Sequence, residues 1–355
     1  MRILLDPDPP FVRWCRASEK GLRAGRAALG PRLLAALLRG GAAAQRASSI
    51  GYRLHHGGDV IRRPALRTTP EILSAVRDTV RLLPEHNELT FQAMRLMMRT
   101  LPDVPHVLLC DTAFFLGLPP AAGFYAVPAA LRGRGARRYG GRGLLHEWAW
   151  RKASGLCGGD IPRLVSVELG DRPNAAALKD GRPVDTTMGF TPVEGILSRT
   201  SCGDIDASVV FELQSSGMSL SEINELLCAR SGFQALAGRR CGFSELLRAS
   251  GEAGKALARR MLTYNIVKYV GAFAAVLGGL DALVFCAQDP EASAPLLRAV
   301  CRKLEFLGLS CDGIGGGRAQ AAIFSKRGSR VKAVALRAEA WRVLSERAAA
   351  VEEED

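Results

Sequence analysis

The chain has 355 residues, 48% apolar and 23% charged, a globular composition that excludes a disordered, collagen-like or disulfide-rich chain. At ~150 residues per domain, this is two domains or one large one. The formal charge of +13, carried mainly by arginine, favours phosphates, nucleotides or an acidic partner, whereas 6% aromatics without Arg/aromatic interleaving argue against nucleic acid.

Ile3-Leu4-Leu5 reads as a short buried strand, and Pro7-Asp8-Pro9-Pro10 as a rigid turn that a central strand could not contain. Residues 16–46 carry a helical Ala/Leu/Arg periodicity broken at Gly30-Pro31. Ile50 to His56 reads as a strand ending in Gly57-Gly58-Asp59. Thr69-Pro70-Glu71 starts a helix, with an N-cap and proline at the first position, and Ile72, Val76, Val80 and Leu83 line one face. His106 to Cys110 is a strand that ends at Asp111. Leu164 to Leu169 is another, followed by a turn from Gly170 to Pro173. Ala175 to Leu178 pairs with Pro183 to Thr186 across Asp180-Gly181, a hairpin signal. Ser219-Leu220-Ser221-Glu222 is a capping box ahead of Ile223, Leu226 and Leu227. Gly254 to Leu277 is a long helix, Asp281 to Ala287 a buried strand, Ala338 to Arg347 an amphipathic helix, and Glu352 to Asp355 a solvated acidic tail. Strands mixed with helices in both halves predict two α/β domains with mixed sheets and a cleft between them.

Nine cysteines lie far apart without a C-x-x-C pair, beside only five histidines. This predicts reduced thiols in a cytoplasmic protein and no zinc site. Met1 to Asp6 is too short for a signal peptide, and the longest apolar run, Tyr269 to Leu280, is too short to span a bilayer.

Specific strings go further. Ser49-Ile50-Gly51-Tyr52-Arg53-Leu54-His55-His56-Gly57-Gly58 resembles the G-H-R-V-V-H-G-G string of the acetate kinase family. Cys110-Asp111-Thr112-Ala113-Phe114 with Pro119-Pro120-Ala121-Ala122 resembles its F-D-T-A-F-H…P-P-A-A, and Arg137-Arg138-Tyr139-Gly140 the start of its R-R-Y-G-F-H-G-T-S-H. Val184 to Gly195 is nearly its D-T-S-M-G-F-T-P-L-E-G signature; Gly203-Asp204-Ile205-Asp206 and Lys268 to Phe273 also fit. The matches are collinear and cover nearly the whole chain. The resemblance implies the acetate and sugar kinase/Hsp70/actin fold. Two ribonuclease-H-like domains, residues 1–114 with the C-terminal helix 338–355 and residues 115–337, would close over nucleotide and substrate. The second would carry the nucleotide side and dimerisation. It also implies a homodimer that moves a phosphoryl group between ATP and a short carboxylate, by way of an acyl phosphate, with Mg2+.

In-line phosphoryl transfer needs cations on the equatorial oxygens, a metal, and amides around the phosphates. By resemblance, Arg53 is an active-site arginine gripping carboxylate or phosphoryl oxygens with its guanidinium fork; without it, Arg53 is a surface arginine on a strand. Asp111 matches the catalytic aspartate, which anchors metal or orients the acceptor; its plainer role is a cap after a strand. His86 matches a substrate-side histidine, although a lone loop histidine is more often structural. Glu339 loosely matches a magnesium-linked carboxylate, against a solvated helix glutamate. His146 matches a second histidine of the R-R-Y-G string, with a core or a catalytic role. His55, Glu85, Gly141 and Pro192 fall on the acyl pocket, where only the proline is kept, and a buried, unpaired Glu85 would be costly. Gly170, Asp171 and Phe243 fall on nucleotide-contacting segments.

The departures from the family pattern are as informative. Arg142 replaces the histidine that contacts the transferring phosphoryl. Ser201 replaces a second active-site arginine, with Arg199 two residues earlier, on the same face if the segment is a strand. Asp6-Pro7-Asp8-Pro9-Pro10-Phe11-Val12-Arg13 stands for N-A-G-S-S-S-x-K, and Glu168-Leu169-Gly170-Asp171-Arg172-Pro173-Asn174 for H-L-G-N-G-A-S. Gln288-Asp289-Pro290-Glu291-Ala292 stands for G-I-G-E-N, and Arg240-Cys241-Gly242-Phe243-Ser244 for S-S-D-F-R. Prolines offer no N–H, and lost glycines keep the backbone away from a phosphate. The expectation is a family member whose phosphoryl transfer is impaired or silent and which acts by binding a ligand or a partner, such as an active kinase homologue. The alternative is an active, divergent carboxylate kinase for a larger, more polar substrate.

Overall fold

The computed structural model describes residues 1–18, 21–38, 46–248, 251–312 and 320–353. Two six-stranded sheets organise these residues. The first contains β1 (Arg2–Asp8), β2 (Phe11–Ser18), β3 (Gly21–Ala27), β4 (Ser49–Leu54), β5 (Ala65–Arg67) and β6 (His106–Cys110), in the order β3-β2-β1-β4-β6-β5. The second contains β7 (Arg163–Leu169), β8 (Asn174–Lys179), β9 (Arg182–Thr186), β10 (Ala282–Ala287), β11 (Ala321–Ile323) and β12 (Lys332–Arg337), in the order β9-β8-β7-β10-β12-β11. The two orders are one topology used twice. Three antiparallel strands lead into two parallel ones, and a short antiparallel strand closes the far edge.

Strand alternation sorts the side chains into layers. In β1, Ile3 and Leu5 face outward into a core shared with helices Pro31–Leu38, Pro70–Asp78 and Pro84–Thr100. In β7 and β10, Val165, Val167, Leu283 and Phe285 face helices Ala253–Leu277 and Pro290–Lys303. The alternate residues, among them Leu4, Leu109, Leu164, Val284 and Leu336, share one central core with helices Gly143–Cys157 and Ala340–Glu353. The first of these helices packs on β7 and β10, the second on β1, β4 and β6, and the two pack on each other. The inner faces of both sheets therefore converge on a common layer.

The structure bears out much of the local reading. Thr69 accepts from the Ile72 amide, Ser219 and Glu222 form a reciprocal capping box, and Asp180 and Gly181 both take positive φ in the β8–β9 turn. Other expectations are corrected. β1 runs through Pro7 to Asp8 although it lies inside the sheet. Its pairing with β4 stops at Leu5↔Tyr52, so Pro7 sits where the strand is paired on one side only. Arg16–Ser18 and Gly21–Ala27 are not helical: the first completes β2 and the second forms β3, where Gly25 opposes Trp14 and a Cβ at Gly25 would meet the indole at 2.8 Å; residues 19–20 lie outside the described residues. Residues 39–45 of the supposed helical stretch lie outside the described residues, and the helix beyond Asp78 gives way to a 3-10 turn at Val80–Leu82. The acidic stretch is no free tail up to Glu353: it ends helix Ala340–Glu353, where Glu352 accepts from Arg2 at 2.9 and 3.1 Å. Glu354 and Asp355 lie outside the described residues.

Candidate active site

The parallel strands of both sheets end at one cavity of about 1070 Å3. Pro7 and Asp8 reach it from β1, Arg53 from β4 and His55 from just beyond it, Glu168 and Leu169 from β7, Cys286 and Ala287 from β10, and Arg337 from β12. The parity that buries Leu4, Leu109 and Leu164 on the inner faces brings Asp6, Arg53, Asp111 and Glu168 to the same side. Open α/β sheets place ligands at such carboxyl ends of strands.

On the first-sheet wall Asp6, Arg53 and Asp111 are buried and matched, with Arg13 reaching in from a more exposed position. Arg53 Nε donates to Asp111 Oδ2 at 2.9 Å, and its Nη2 lies 2.8 Å from the same oxygen. Arg53 Nη1 reaches Asp6 Oδ2 at 3.5 Å, Arg13 also donates to Asp6, and His55 Nε2 donates to Asp6 Oδ1 at 3.2 Å. Burial alone would push the Asp6 carboxyl up, but Arg53, His55 and Arg13 hold it well below the usual carboxylate range. Burial likewise disfavours the Arg53 cation, and Asp111 and Asp6 reverse that, so its pKa is raised. His86 stands edge-on to His55, ring centroids 5.0 Å apart, and its Nδ1 is buried without a hydrogen-bond partner among the described residues. Burial, then His55 and Arg172, depress its pKa to about 3, so it is neutral at pH 7. His146 lies behind the cavity, buried, where Ser166 donates to its Nδ1 at 2.9 Å and its Nε2 donates to Asn174 at 2.5 Å.

The second-sheet wall is charged and, at Arg199 and Asp171, open, while Arg142 and Glu168 are only partly exposed. Arg142 takes φ +58 at the start of helix Gly143–Cys157, and its Nε lies 3.2 Å from Glu168 Oε2. Left-handed backbone costs a non-glycine residue about 1 kcal/mol or more. Burial raises the Glu168 pKa against the pull of Arg142 and Arg53. Arg199 Nη1 donates to Asp171 Oδ2 at 2.8 Å, and the Phe243 amide donates to Asp171 Oδ1 at 2.8 Å. Asp289 accepts from Ala292 N at 3.1 Å and so caps helix Pro290–Lys303, whose first turn lines the cavity. Helix N-termini are ready anion sites, and here the chain's own carboxylate occupies one. At Gly170 a Cβ would meet open space, so this backbone faces the cavity freely.

A smaller pocket of about 60 Å3 adjoins the cavity. His55, Arg142 and Arg172 line both; Asp111, Gly141, Asn174, Met188, Pro192 and Ser198 are among the others lining the small one. At ~10–15 Å3 per water-sized occupant, it holds roughly four to six non-hydrogen atoms.

A family model described as the Acetokinase family matches residues 32–345. The chain belongs to this family. Acetate kinase of Carboxydothermus hydrogenoformans is 37% identical over 296 residues, 81% of this chain and 74% of that protein. Acetate kinase of Synechococcus sp. is 36% identical over 267 residues, 74% of this chain and 66% of the relative. The chain thus spans two thirds to three quarters of the curated relatives' length. The crystal structure of Porphyromonas gingivalis acetate kinase matches with a TM-score of 0.87 at 26% identity, covering 99% of both chains. The fold is the two-domain acetate and sugar kinase/Hsp70/actin fold.

In this acetokinase-family chain, Arg53, His55, His86, Arg142, Arg199, Gly170, Asp171 and Phe243 all line the large cavity, while Asp111 and Pro192 line the small pocket beside it. Arg199 lies in a loop, not on a strand, so the two-residue offset from Ser201 has no strand parity behind it. Ser201 is buried, its hydroxyl donating to Val193 O at 3.3 Å. Glu85 is exposed in the first turn of its helix, so the cost of burying it does not arise. Glu339 pairs with Arg342 at 3.6 Å and does not line the cavity. The family strings place Asp6, Glu168 and Arg172 in the cleft as departures from phosphate-contacting segments, without pairing them; strand parity shows why Asp6 and Glu168 meet Arg53 and Arg142 there.

The Mg2+ implied by the resemblance finds one suitable oxygen. Asp111 Oδ1 is buried without a hydrogen-bond partner among the described residues, which gather no cluster of three or more His, Cys, Asp or Glu fit for a metal. One carboxylate suits an ion held mainly by phosphate oxygens and water. Bound there, it would neutralise phosphate charge. Arg53 competes for that role by holding the other oxygen of the same carboxylate.

Proposed function

We propose that this chain binds a small anionic ligand in the inter-sheet cleft and that its phosphoryl transfer between ATP and a short carboxylate is impaired or silent. One observation carries this reading: most of the donors a phosphate would need already stand against the chain's own carboxylates. Arg53 is held by Asp111 and Asp6, Arg142 by Glu168, Arg199 and the Phe243 amide by Asp171, and the first turn of helix Pro290–Lys303 by Asp289. Phosphoryl transfer is mostly positioning and charge stabilisation, and removing a single such donor costs about a hundredfold or more.

The halves divide in this reading at residues 1–114 with 338–355 and 115–337, the nucleotide side lying in the second. Exposed Val209, Phe211, Leu220, Tyr264 and Val276, all on helices of the second half, support a homodimer or a pairing with an active homologue. The nine unbridged cysteines suit a reducing, cytoplasmic setting. Among the described residues no helix is long and apolar enough to cross a membrane.

The deciding experiment is a coupled assay with ATP, Mg2+ and a panel of short carboxylates, run beside the Ser201→Arg/Arg142→His double variant. The expected turnover of the unmodified protein is at least about a hundredfold below the roughly 1–100 s−1 usual for kinases, with a gain in the double variant. Ordinary turnover in the unmodified protein would sink the reading. A second reading, an active kinase for a more polar carboxylate, is favoured by His55, Asn174 and Ser198 around the small pocket. Ordinary turnover with a hydroxy or amino acid, but not with acetate, would select it.

A further inference from the structure

Arg172 differs from the other cations of the cleft. It follows Asp171 in the turn after β7, lines both the large cavity and the small pocket, and is exposed within them. No hydrogen bond or ion pair to it occurs among the described residues, whereas Arg53, Arg142 and Arg199 each have a carboxylate within 4 Å. Two of those arginines act on it: partial desolvation by the surrounding cleft walls, then Arg142 and Arg199, lower its pKa, and Asp8 and Glu85 offset this only in part. Like charges converging on a walled space attract a counter-ion, because each guanidinium gains from the anion while relieving repulsion between its neighbours.

We propose that Arg172 is the specificity-determining residue of this cleft, gripping a small dianionic oxyanion, a phosphate or an acyl phosphate, at the junction of the two pockets. The proposal deepens, and rests on, the reading of the cleft as an anion site. A backbone cradle needs bare glycine, and Gly170 still provides it. At position 172 a side chain takes over, holding the anion further out, with a fork that matches two oxygens at once. This arrangement favours a compact anion over a triphosphate that must lie along the backbone.

The test is calorimetry with acetyl phosphate, inorganic phosphate and ATP on the unmodified protein, Arg172→Gln, Arg172→Gly and, as a charge control, the exposed Arg302→Gln on the outer helix. We expect the compact anions to bind more tightly than ATP. Both Arg172 variants should weaken them roughly 10- to 100-fold, the range of a hydrogen-bonded charge, while Arg302→Gln leaves them unchanged. Tighter binding of acetyl phosphate than of phosphate identifies the acyl phosphate as the preferred source of that oxyanion. The proposal is overturned if the unmodified protein binds neither compact anion, if it binds ATP more tightly than both, if Arg302→Gln weakens binding as much, or if Arg172→Gly binds either compact anion as well or better. The turnover assay decides the silent-enzyme reading separately, since low turnover is compatible with either binding result.

Discussion

The two walls of the cleft come from the same topology and end in the same kind of charged strand terminus, yet they solvate those charges differently. On the first-sheet wall the Arg53 side chain is 4% exposed and the Asp6 and Asp111 side chains 1% each; on the second, Arg199 and Asp171 are 48% and 43% exposed. A buried pair exists only while both members are present, since removing one strands the other charge away from water. An exposed pair exchanges its partner for solvent at little cost. The first wall is therefore built as a fixed frame, and the Arg199–Asp171 end of the second is the side on which a ligand can displace a carboxylate.

Substitutions can test this contrast. Asp6→Ala should have the largest effect, a loss of about 3–5 kcal/mol in urea unfolding, because the buried Arg53 loses one of its two carboxylate partners and the half-exposed Arg13 loses the same one. A loss under ~1 kcal/mol would place this cluster in the same class as the open wall. Next comes acid. The folded pKa of His86 is about 3, below the ordinary 6.5, so between these values the unfolded chain binds a proton that the folded one refuses. Its contribution is a stability that falls as the pH drops from 6.5 towards 3, by at most about 1.4 kcal/mol per unit. His86→Gln should flatten part of that fall in melting temperature measured against pH; an unchanged slope would remove His86 from the account. Smaller still, Ser219→Ala breaks the capping box of helix Leu220–Ala229 and should cost about 1 kcal/mol. Arg199→Ala, on the open wall, should cost less than about 1 kcal/mol in the same unfolding experiment. A cost as large as that of Asp6→Ala would erase the distinction between the walls.

Features decided by near neighbours were legible in the sequence. The capping box, the Asp180-Gly181 hairpin and the core strands of both halves depend on a few adjacent residues, and the structure has them where the sequence places them. β3 was not legible, because its Ala/Arg pattern also fits a helix; what decides it is Gly25 lying against Trp14 of the neighbouring strand. The family strings pointed to Arg53 and Asp111, and to acids in the phosphate-contacting segments, but not to which arginine each acid neutralises. Asp6 and Glu168 stand 162 positions apart in the chain, and only the sheet order brings their parities to one cavity. Glu85 was read as buried because its motif position, without a backbone, does not reveal that the side chain leaves the first helical turn into solvent.

The helix Ala340–Glu353 covers the inner face of the first sheet, and Glu352 clasps Arg2 at the start of β1. On the ribosome this covering arrives late. β6 ends at Cys110, and about 230 further residues must be made before the helix emerges, a delay of roughly 10 to 50 s at ordinary elongation rates. Through that interval Leu4, Val107 and Leu109 wait without the side chains of Val343, Leu344 and Ala348 against them. The nascent chain thus displays an apolar sheet face for most of its synthesis, and a stalled or truncated product would present that face to chaperones and to other copies of itself.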